Sequence, residues 1–314
     1  MAKTKVYQGG ADRAQRLKSS RVDKGYKTIT VEAVAPVIGV EIKGVDLTRP
    51  LPEEQFEELR DALANHCVVF FRDQPELAPE QQVAFGKRFG DLHVHPAAPT
   101  LEGNAEVFVI HTHKDSQVNN GGNWHTDVSC DEEPPLGTIL QLHKTPSAGG
   151  DTLFANMYAA FDALSDRMQE ILSGMEALHE SEHIFRGRYS DRGVDDSERV
   201  YPEAVHPIVR THPVSGRQAL YVNRSFTTKI IGFSDKESKA LLDFLFQHME
   251  QPQFQVRFRW AKNSIAFWDN RACQHSAVGD YYPHPRIGHR ITISSDDRPA
   301  FKGGDDFVHV SSRL

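Results

Sequence analysis

The sequence predicts a mostly β fold with flanking helices, on three observations. Short β-like runs, including Val107–Ile110, Thr138–Leu142 and Ala219–Val222, alternate with loops rich in Gly, Pro, Asn and Asp. Phe254, Val256, Phe258 and Trp260 alternate with Gln255, Arg257 and Arg259, which is the period-two pattern of a half-buried strand. Helical spacing appears at Phe56, Leu59 and Leu63 and again at Leu241, Leu242, Leu245 and Met249.

In chain order, Thr28–Val34 and Val37–Ile42 read as β-segments split by Pro36. The Phe56–Leu63 stripe gives a helix that ends before an apolar strand, Cys67–Phe71. A second helix starts near Pro79, a favoured first-turn proline, and stops at Gly90. After the β-rich middle, Ser234-Asp235-Lys236-Glu237 opens a helix over 234–250 with a capping box, in which the Ser hydroxyl and Glu carboxylate satisfy first-turn amides. The alternating strand follows, then strands at Ser264–Trp268 and Ile287–Ile293.

The chain has 314 residues and a mass of 35.3 kDa, long enough to bury a substantial core. No linker or composition break divides it after residue 30, so residues 28–314 read as one domain. A charged share of 25% and a formal net charge of −7 lack the basic excess of a nucleic-acid binder. Cys67, Cys130 and Cys273 are odd in number and lack C-x-x-C spacing, which argues against a disulfide framework and a structural zinc site; they read as buried free thiols. Met1–Ser20 is polar, without the apolar centre of a signal peptide, and no run reaches the roughly 18 apolar residues of a membrane span. No membrane partner and a cytoplasmic location are the expectation. Residues 1–27 stand apart, with Lys3, Lys5, Arg13, Arg16, Lys18, Arg21, Lys24 and Lys27 against Asp12 and Asp23. This basic stretch reads as a flexible, solvated arm outside the fold, although a basic arm can also contact nucleic acid or a neighbouring subunit.

The chemistry sits in two distant stretches, Asn123-Trp124-His125-Thr126-Asp127 and Trp268 through His275. In an extended chain, side chains at i and i+2 share a side, so His125 and Asp127 can chelate one ion while Thr126 faces away. With His275 they make two imidazoles and a carboxylate on one face of a metal, the donor set of non-haem Fe(II) oxygenases. H-x-D spacing alone is a weak signal among 16 histidines. His113 and Asp115 share it and stay open as a rival. His248 and Glu250 do as well, but on a helix a two-residue step turns them roughly 200° apart. In Arg286-Ile287-Gly288-His289-Arg290 both arginines share a face of an extended chain, with Gly288 between them. Two guanidiniums reaching into one cavity require anions there, since an unpaired buried charge costs several kcal/mol. Surface ion pairs with Asp280 or Asp296 are the alternative.

From about Val40 to Phe301 the chain resembles the taurine dioxygenase branch of the Fe(II)/2-oxoglutarate-dependent oxygenases. The matching segments are Gly44 through Leu51, His93-Val94-His95-Pro96, Asn123 through Val128, Gly149-Gly150-Asp151-Thr152-Leu153, His206 through Pro213, and Trp268 through Arg290, in family order. The resemblance implies a double-stranded β-helix, the cupin-like jelly roll, and catalytic metal ligands His125, Asp127 and His275. It implies that Arg286 and Thr152 hold the distal carboxylate of the co-substrate 2-oxoglutarate. Arg290, His95 and backbone at Val128 then receive a sulfonate, with Phe185 and Phe226 as aromatic walls. The expected reaction consumes O2 and 2-oxoglutarate, hydroxylates the carbon next to the sulfonate, and releases sulfite, an aldehyde, succinate and CO2. A small anionic partner and a homo-oligomer, dimer or tetramer, are implied too.

The resemblance thins at the substrate. Gly121 stands where taurine enzymes carry an Asn near the amine, with Asn119, Asn120 and Asn123 as nearby substitutes, and Ile184 stands where they have a Ser before Phe185. A less amine-specific pocket follows, because an apolar wall discriminates more weakly than a hydrogen-bonding site. Alkyl sulfates and aryloxyalkanoates are alternative substrates. Two other classes stay open: a zinc hydrolase built on the same three ligands, and a noncatalytic jelly-roll binding module.

Overall fold

The computed structural model describes residues 25–94, 100–116, 121–187 and 198–302. β1 (Thr30–Ala33) and β2 (Val40–Lys43) pair antiparallel, shorter than predicted. The chain between them turns at Gly39, whose φ of +80° favours glycine and where a Cβ would lie 2.9 Å from the Phe70 ring. α1 (Glu53–His66) buries Phe56, Leu59 and Leu63 as its spacing requires. It ends at Cys67, whose positive φ of 67° turns the chain, so β3 starts at Val68 (Val68–Phe71) and not at Cys67. α2 (Pro79–Lys87) begins at its proline as expected. Most of the basic N-terminal stretch lies outside the described residues. Its last two residues are bonded to α1, Tyr26 through its hydroxyl to Asp61 and Lys27 through its amide to Glu58, so the folded part begins slightly earlier than residue 28.

With β1–β3, the remaining strands build two facing sheets and two smaller ones. β4 (Leu92–His93), β5 (Thr100–Leu101), β6 (Asn104–Thr112) and β7 (Gly137–Lys144) precede β8 (Thr152–Asn156). Then come α3 (Met157–Asp162), α4 (Asp166–Leu172), β9 (Glu176–Glu180), α5 (Glu182–Phe185), β10 (Glu203–Pro207), β11 (Val209–Thr211), β12 (Gln218–Leu220) and β13 (Thr227–Ile230). α6 (Asp235–Met249) carries the predicted capping box, and β14 (Gln255–Phe258), β15 (Ile265–Asp269), β16 (Cys273–Ala277) and β17 (Arg286–Ile293) complete the chain. The large sheet runs β1-β2-β3-β15-β7-β17-β6-β5, with β4 also on β17. Opposite it lies β14-β8-β16. β9, β10 and β13 form a third sheet, and β11 and β12 a fourth. This is the expected jelly roll.

Aromatic burial holds the layers together. Phe70 of β3 stacks on Phe258 of β14 with centroids 4.0 Å apart, joining the two main sheets. On the outer face, Phe71, Phe85 and Phe267 meet edge to face beneath α1 and α2. Each such ring contributes on the order of 2 kcal/mol by burial. Two predicted strands end early. Val222 lies beyond β12, and its carbonyl accepts a hydrogen bond from Gln274 Nε2 at 2.7 Å. Trp260 lies beyond β14 and is buried by a site contact described below. All three cysteines are buried free thiols, as expected.

Register aims one face of the large sheet at the space between the sheets. On β17, Arg286, Gly288 and Arg290 sit opposite Thr112, Ile110 and Phe108 of β6. Gly288, Arg290 and Thr292 sit opposite Leu142, Leu140 and Thr138 of β7. Side chains at every second position share a side, so both arginines face the same cavity.

Candidate active site

The H-x-D pair is not on a strand, as its spacing suggested. His125 forms an isolated bridge with His275 of β16, exchanging both backbone hydrogen bonds at 3.1 and 2.8 Å. The chain then turns, with Val128 at a φ of +47°. The pair nevertheless presents its donor atoms to one side. Thr126 points away and donates to the Asn270 carbonyl at 2.6 Å, while His125 Nε2 lies 3.6 Å from Asp127 Oδ1. His275 Nε2 reaches the same oxygen at 3.8 Å. The ligand atoms of the three residues lie within 4.8 Å of one another.

The rivals do not converge. His113 and Asp115 form a solvent-exposed contact at 3.8 Å in a turn. His248 gives Nε2 to the Ala160 carbonyl, and Glu250 pairs with Arg224.

The protonation states suit a metal. His125 Nδ1 faces the Asn123 carbonyl at 2.7 Å and must donate to it, which leaves the Nε2 lone pair for an ion. Burial, with the neighbouring His125, keeps His275 neutral, well below the usual imidazole range. Burial would raise the Asp127 pKa, but the Arg290 guanidinium and the two imidazoles hold it well below the usual carboxylate range. Thr138 Oγ1 donates to Asp127 Oδ2 at 2.7 Å, which leaves Oδ1 as the oxygen that faces the two imidazoles and Arg290. Two imidazoles and one oriented carboxylate in this arrangement fit a six-coordinate ferrous ion with open positions.

The second motif is anchored from behind. Asp269 accepts from Arg271 Nε and Nη2 at 2.8 and 2.7 Å and pairs with His212 Nε2 at 3.0 Å, all fully or almost fully buried. Asn270 Oδ1 accepts from Trp268 Nε1 at 3.0 Å. This network fixes the turn from β15 into β16, and hence the position of His275.

A cavity of about 420 Å³ opens over the three ligands. Arg286 reaches it from β17, only 6% exposed, donating Nε to the Gly150 carbonyl at 3.2 Å and Nη2 to Thr152 Oγ1 at 3.4 Å. Burial pushes this guanidinium down to about 10, although Tyr281 and Asp151 oppose the shift. No carboxylate among the described residues lies within ion-pair distance of it. The alternative of surface ion pairs with Asp280 or Asp296 is not what the structure shows: Asp280 pairs with Arg257, Arg290 pairs with Asp127, and Asp296 lies within ion-pair distance of neither arginine. A buried cation with no matching anion is suited to an anionic ligand. Thr152 Oγ1 also accepts from Trp260 Nε1 at 3.0 Å, which frees its own proton for a ligand carboxylate.

Arg290, Val128, Phe185 and Phe226 line the same cavity, as predicted. Arg290 Nη2 stands 2.8 Å from Asp127 Oδ1, so one edge of its fork lies against the metal carboxylate. The two phenyl rings lie 5.9 Å apart. His95, Asn119 and Asn120 fall outside the described residues. Asn123 lines the cavity, and its backbone carbonyl is the one that faces His125 Nδ1. Contributors that escaped the sequence include Thr138 and Trp260, with His93 and Ile110 in the cavity lining. Thr138 read as ordinary strand, and Trp260 read as packing. When bound, iron would supply oxygen activation and 2-oxoglutarate the electrons; His125, Asp127 and His275 are placed to hold the ion, and Arg286 with Thr152 to take a carboxylate.

A jelly roll with this ligand triad, buried arginine and cavity defines an Fe(II)/2-oxoglutarate-dependent dioxygenase. Residues 30–292 match the family model described as taurine catabolism dioxygenase TauD, TfdA family. The chain is 36% identical over 280 residues to a Saccharomyces cerevisiae α-ketoglutarate-dependent sulfonate dioxygenase, covering 85% of this chain and 67% of that one. It is 36% identical over 276 residues to a Pseudomonas putida α-ketoglutarate-dependent sulfate ester dioxygenase, covering 85% and 90%. A crystal structure of a taurine dioxygenase from Burkholderia xenovorans superposes with a TM-score of 0.74 at 35% identity, covering 87% of this chain and 93% of that one. The chain therefore belongs to the TauD/TfdA dioxygenase family. Its dioxygenase class sets aside the zinc hydrolase and the noncatalytic module.

Proposed function

We propose that this dioxygenase hydroxylates the carbon next to the sulfonate of taurine or a related alkanesulfonate. One substrate, one O2 and one 2-oxoglutarate give succinate, CO2 and the α-hydroxysulfonate, which breaks its C–S bond to leave an aldehyde and sulfite. The observation that carries this reading is the pair of arginines on one cavity face. Arg286, with Thr152, suits the distal carboxylate of 2-oxoglutarate, and Arg290 beside the metal ligands suits the substrate anion. Val128, in its left-handed turn, supports an amide contact to that anion.

Ile184 and Gly121 favour a second reading, the same chemistry on an alkyl sulfate or aryloxyalkanoate. Ile184 and Gly121 both line the cavity, and neither carries a polar side chain to meet an amine. The sulfate-ester relative supports this alternative. Oxygen uptake with taurine, longer alkanesulfonates, alkyl sulfates and phenoxyacetates, with sulfite, sulfate and succinate quantified, separates them. Absence of sulfite from every sulfonate removes the first reading.

No helix among the described residues is long and apolar enough to cross a membrane. A cytoplasmic location is supported by three buried free thiols, which suit a reducing compartment. A dimer or tetramer is the expected assembly, checked by light scattering on the eluting protein.

A further inference from the structure

The aromatic wall and the metal-bearing turn are hydrogen-bonded to each other at both ends. After Asp127 the turn continues to Ser129, whose hydroxyl accepts from Asn223 Nδ2 at 2.9 Å and lies 2.9 Å from His179 Nδ1. Asn223 Oδ1 accepts from the Phe226 amide at 2.9 Å. The Asn223 amide donates to Thr227 Oγ1 at 2.9 Å, and its carbonyl accepts from the Thr227 amide at 3.0 Å. Asn223, Ser129 and His179 are all fully buried. Before His125, Trp124 offers its carbonyl to Ser225 Oγ at 3.3 Å, and the Ser225 carbonyl accepts from His183 of α5, the helix that carries Phe185.

We propose that Asn223 is a positioning residue: it fixes the Phe226–Phe185 wall relative to the turn bearing Asp127, and so sets which substrate carbon faces the metal. A side-chain amide offers a donor and an acceptor in one rigid plane. Here the donor goes to the ligand turn and the acceptor to the wall. Neither group contacts the cavity, so Asn223 acts through Ser129 and Phe226. A shift of about 1 Å between wall and metal is enough to change turnover by on the order of a hundredfold. A misplaced carbon lets 2-oxoglutarate and O2 give succinate and CO2 without hydroxylation of the substrate, the second oxygen atom being reduced to water by ascorbate added to the assay.

This inference rests on the dioxygenase reading above. Its test compares wild type, Ser129→Ala and Asn223→Ala. Ser129→Ala removes the turn-side link while leaving the Asn223–Phe226 bond in place, so it tests the proposal even where Asn223→Ala does not fold. With an alkanesulfonate, both variants are expected to lower the ratio of sulfite to succinate by roughly threefold to tenfold, the factor that one lost hydrogen bond supplies. Iron affinity and the KM for 2-oxoglutarate stay near wild type. Calorimetry of metal-free protein with alkanesulfonates of increasing chain length is the second readout. Chain-length dependence present in wild type and flattened in Ser129→Ala supports the proposal. An unchanged ratio and unchanged chain-length dependence, with loss confined to melting temperature, overturn it. If wild type makes neither sulfite nor succinate, the function assigned above fails instead, and the calorimetric comparison alone decides the inference.

Discussion

Replacing Arg286 with Met is expected to weaken 2-oxoglutarate binding and, in the absence of ligand, to leave the fold as stable or more stable. The side chain is 6% exposed; its guanidinium donates to one carbonyl and one hydroxyl and lies 5.6 Å from the Trp260 ring, and no carboxylate among the described residues is within ion-pair distance. Burial lowers its pKa to about 10, from an ordinary value above 12; at about 1.4 kcal/mol per pH unit this is on the order of 3 kcal/mol of uncompensated desolvation. Met keeps an apolar stem of similar length and removes that penalty. Losing one partner of a buried charge pair in the complex weakens it by about 2–5 kcal/mol, or roughly 30- to 5,000-fold in affinity. The assays are calorimetric titration of 2-oxoglutarate and thermal unfolding without ligand. A melting temperature that collapses in the variant while 2-oxoglutarate affinity holds would refute the reasoning, because Arg286 would then be a structural tie between Gly150 and Thr152.

Three further outcomes follow from the geometry. Thr138→Val removes the hydroxyl that orients Asp127 Oδ2 and is expected to weaken ferrous-ion binding by about 10- to 100-fold with little change in fold, measured by metal titration. Gly288→Ala would place a Cβ 2.1 Å from the Gln141 carbonyl oxygen and 2.9 Å from Leu142 Cα; with backbone on the far side unable to yield, it should destabilise by on the order of 3 kcal/mol or more, read by denaturant unfolding. Stability should fall as pH drops from about 6.5 toward 4, because burial pushes His179 down to about 3 and His206 to about 4. In that window the unfolded chain binds protons that the folded chain refuses, at about 1.4 kcal/mol per pH unit for each group. Asp131, raised by burial to about 6, acts in the opposite sense over part of the range and softens the slope without reversing it. A flat stability profile between pH 6.5 and 4.5 would contradict the burial of these imidazoles as neutral groups.

Local pattern carried the elements whose burial is one-sided. α1 and α6 show their stripes, α2 its proline and β14 its alternation, because each packs one face and solvates the other. It failed where burial is complete or the element is short. All but the last residue of α3 are buried, so it shows no amphipathic period. β16 reads as polar in Cys273-Gln274-His275-Ser276, yet all four are buried, because Gln274 bonds the Val222 carbonyl and His275 faces the metal ligands. The convergence of His125, Asp127 and His275 was legible from donor chemistry, although the turn at Val128 was not: H-x-D spacing carries no mark of a left-handed residue just after it. Thr138 and Asn223 were invisible for another reason. Their contributions arise from contacts across distant segments, and one hydroxyl or amide in a strand or turn gives no local pattern to detect.

The central claim is one ferrous ion held by His125, Asp127 and His275, with 2-oxoglutarate clamped by Arg286 beside it. Anaerobic titration of iron into metal-free protein with 2-oxoglutarate present, followed by the visible charge-transfer absorption of the iron–2-oxoglutarate chelate, tests it most directly. The predicted result is saturation at one iron per chain in wild type, no absorption in His125→Ala or His275→Ala, and a much higher 2-oxoglutarate requirement in Arg286→Met. Absorption that survives loss of either histidine, or iron binding that never develops it, would contradict the claim.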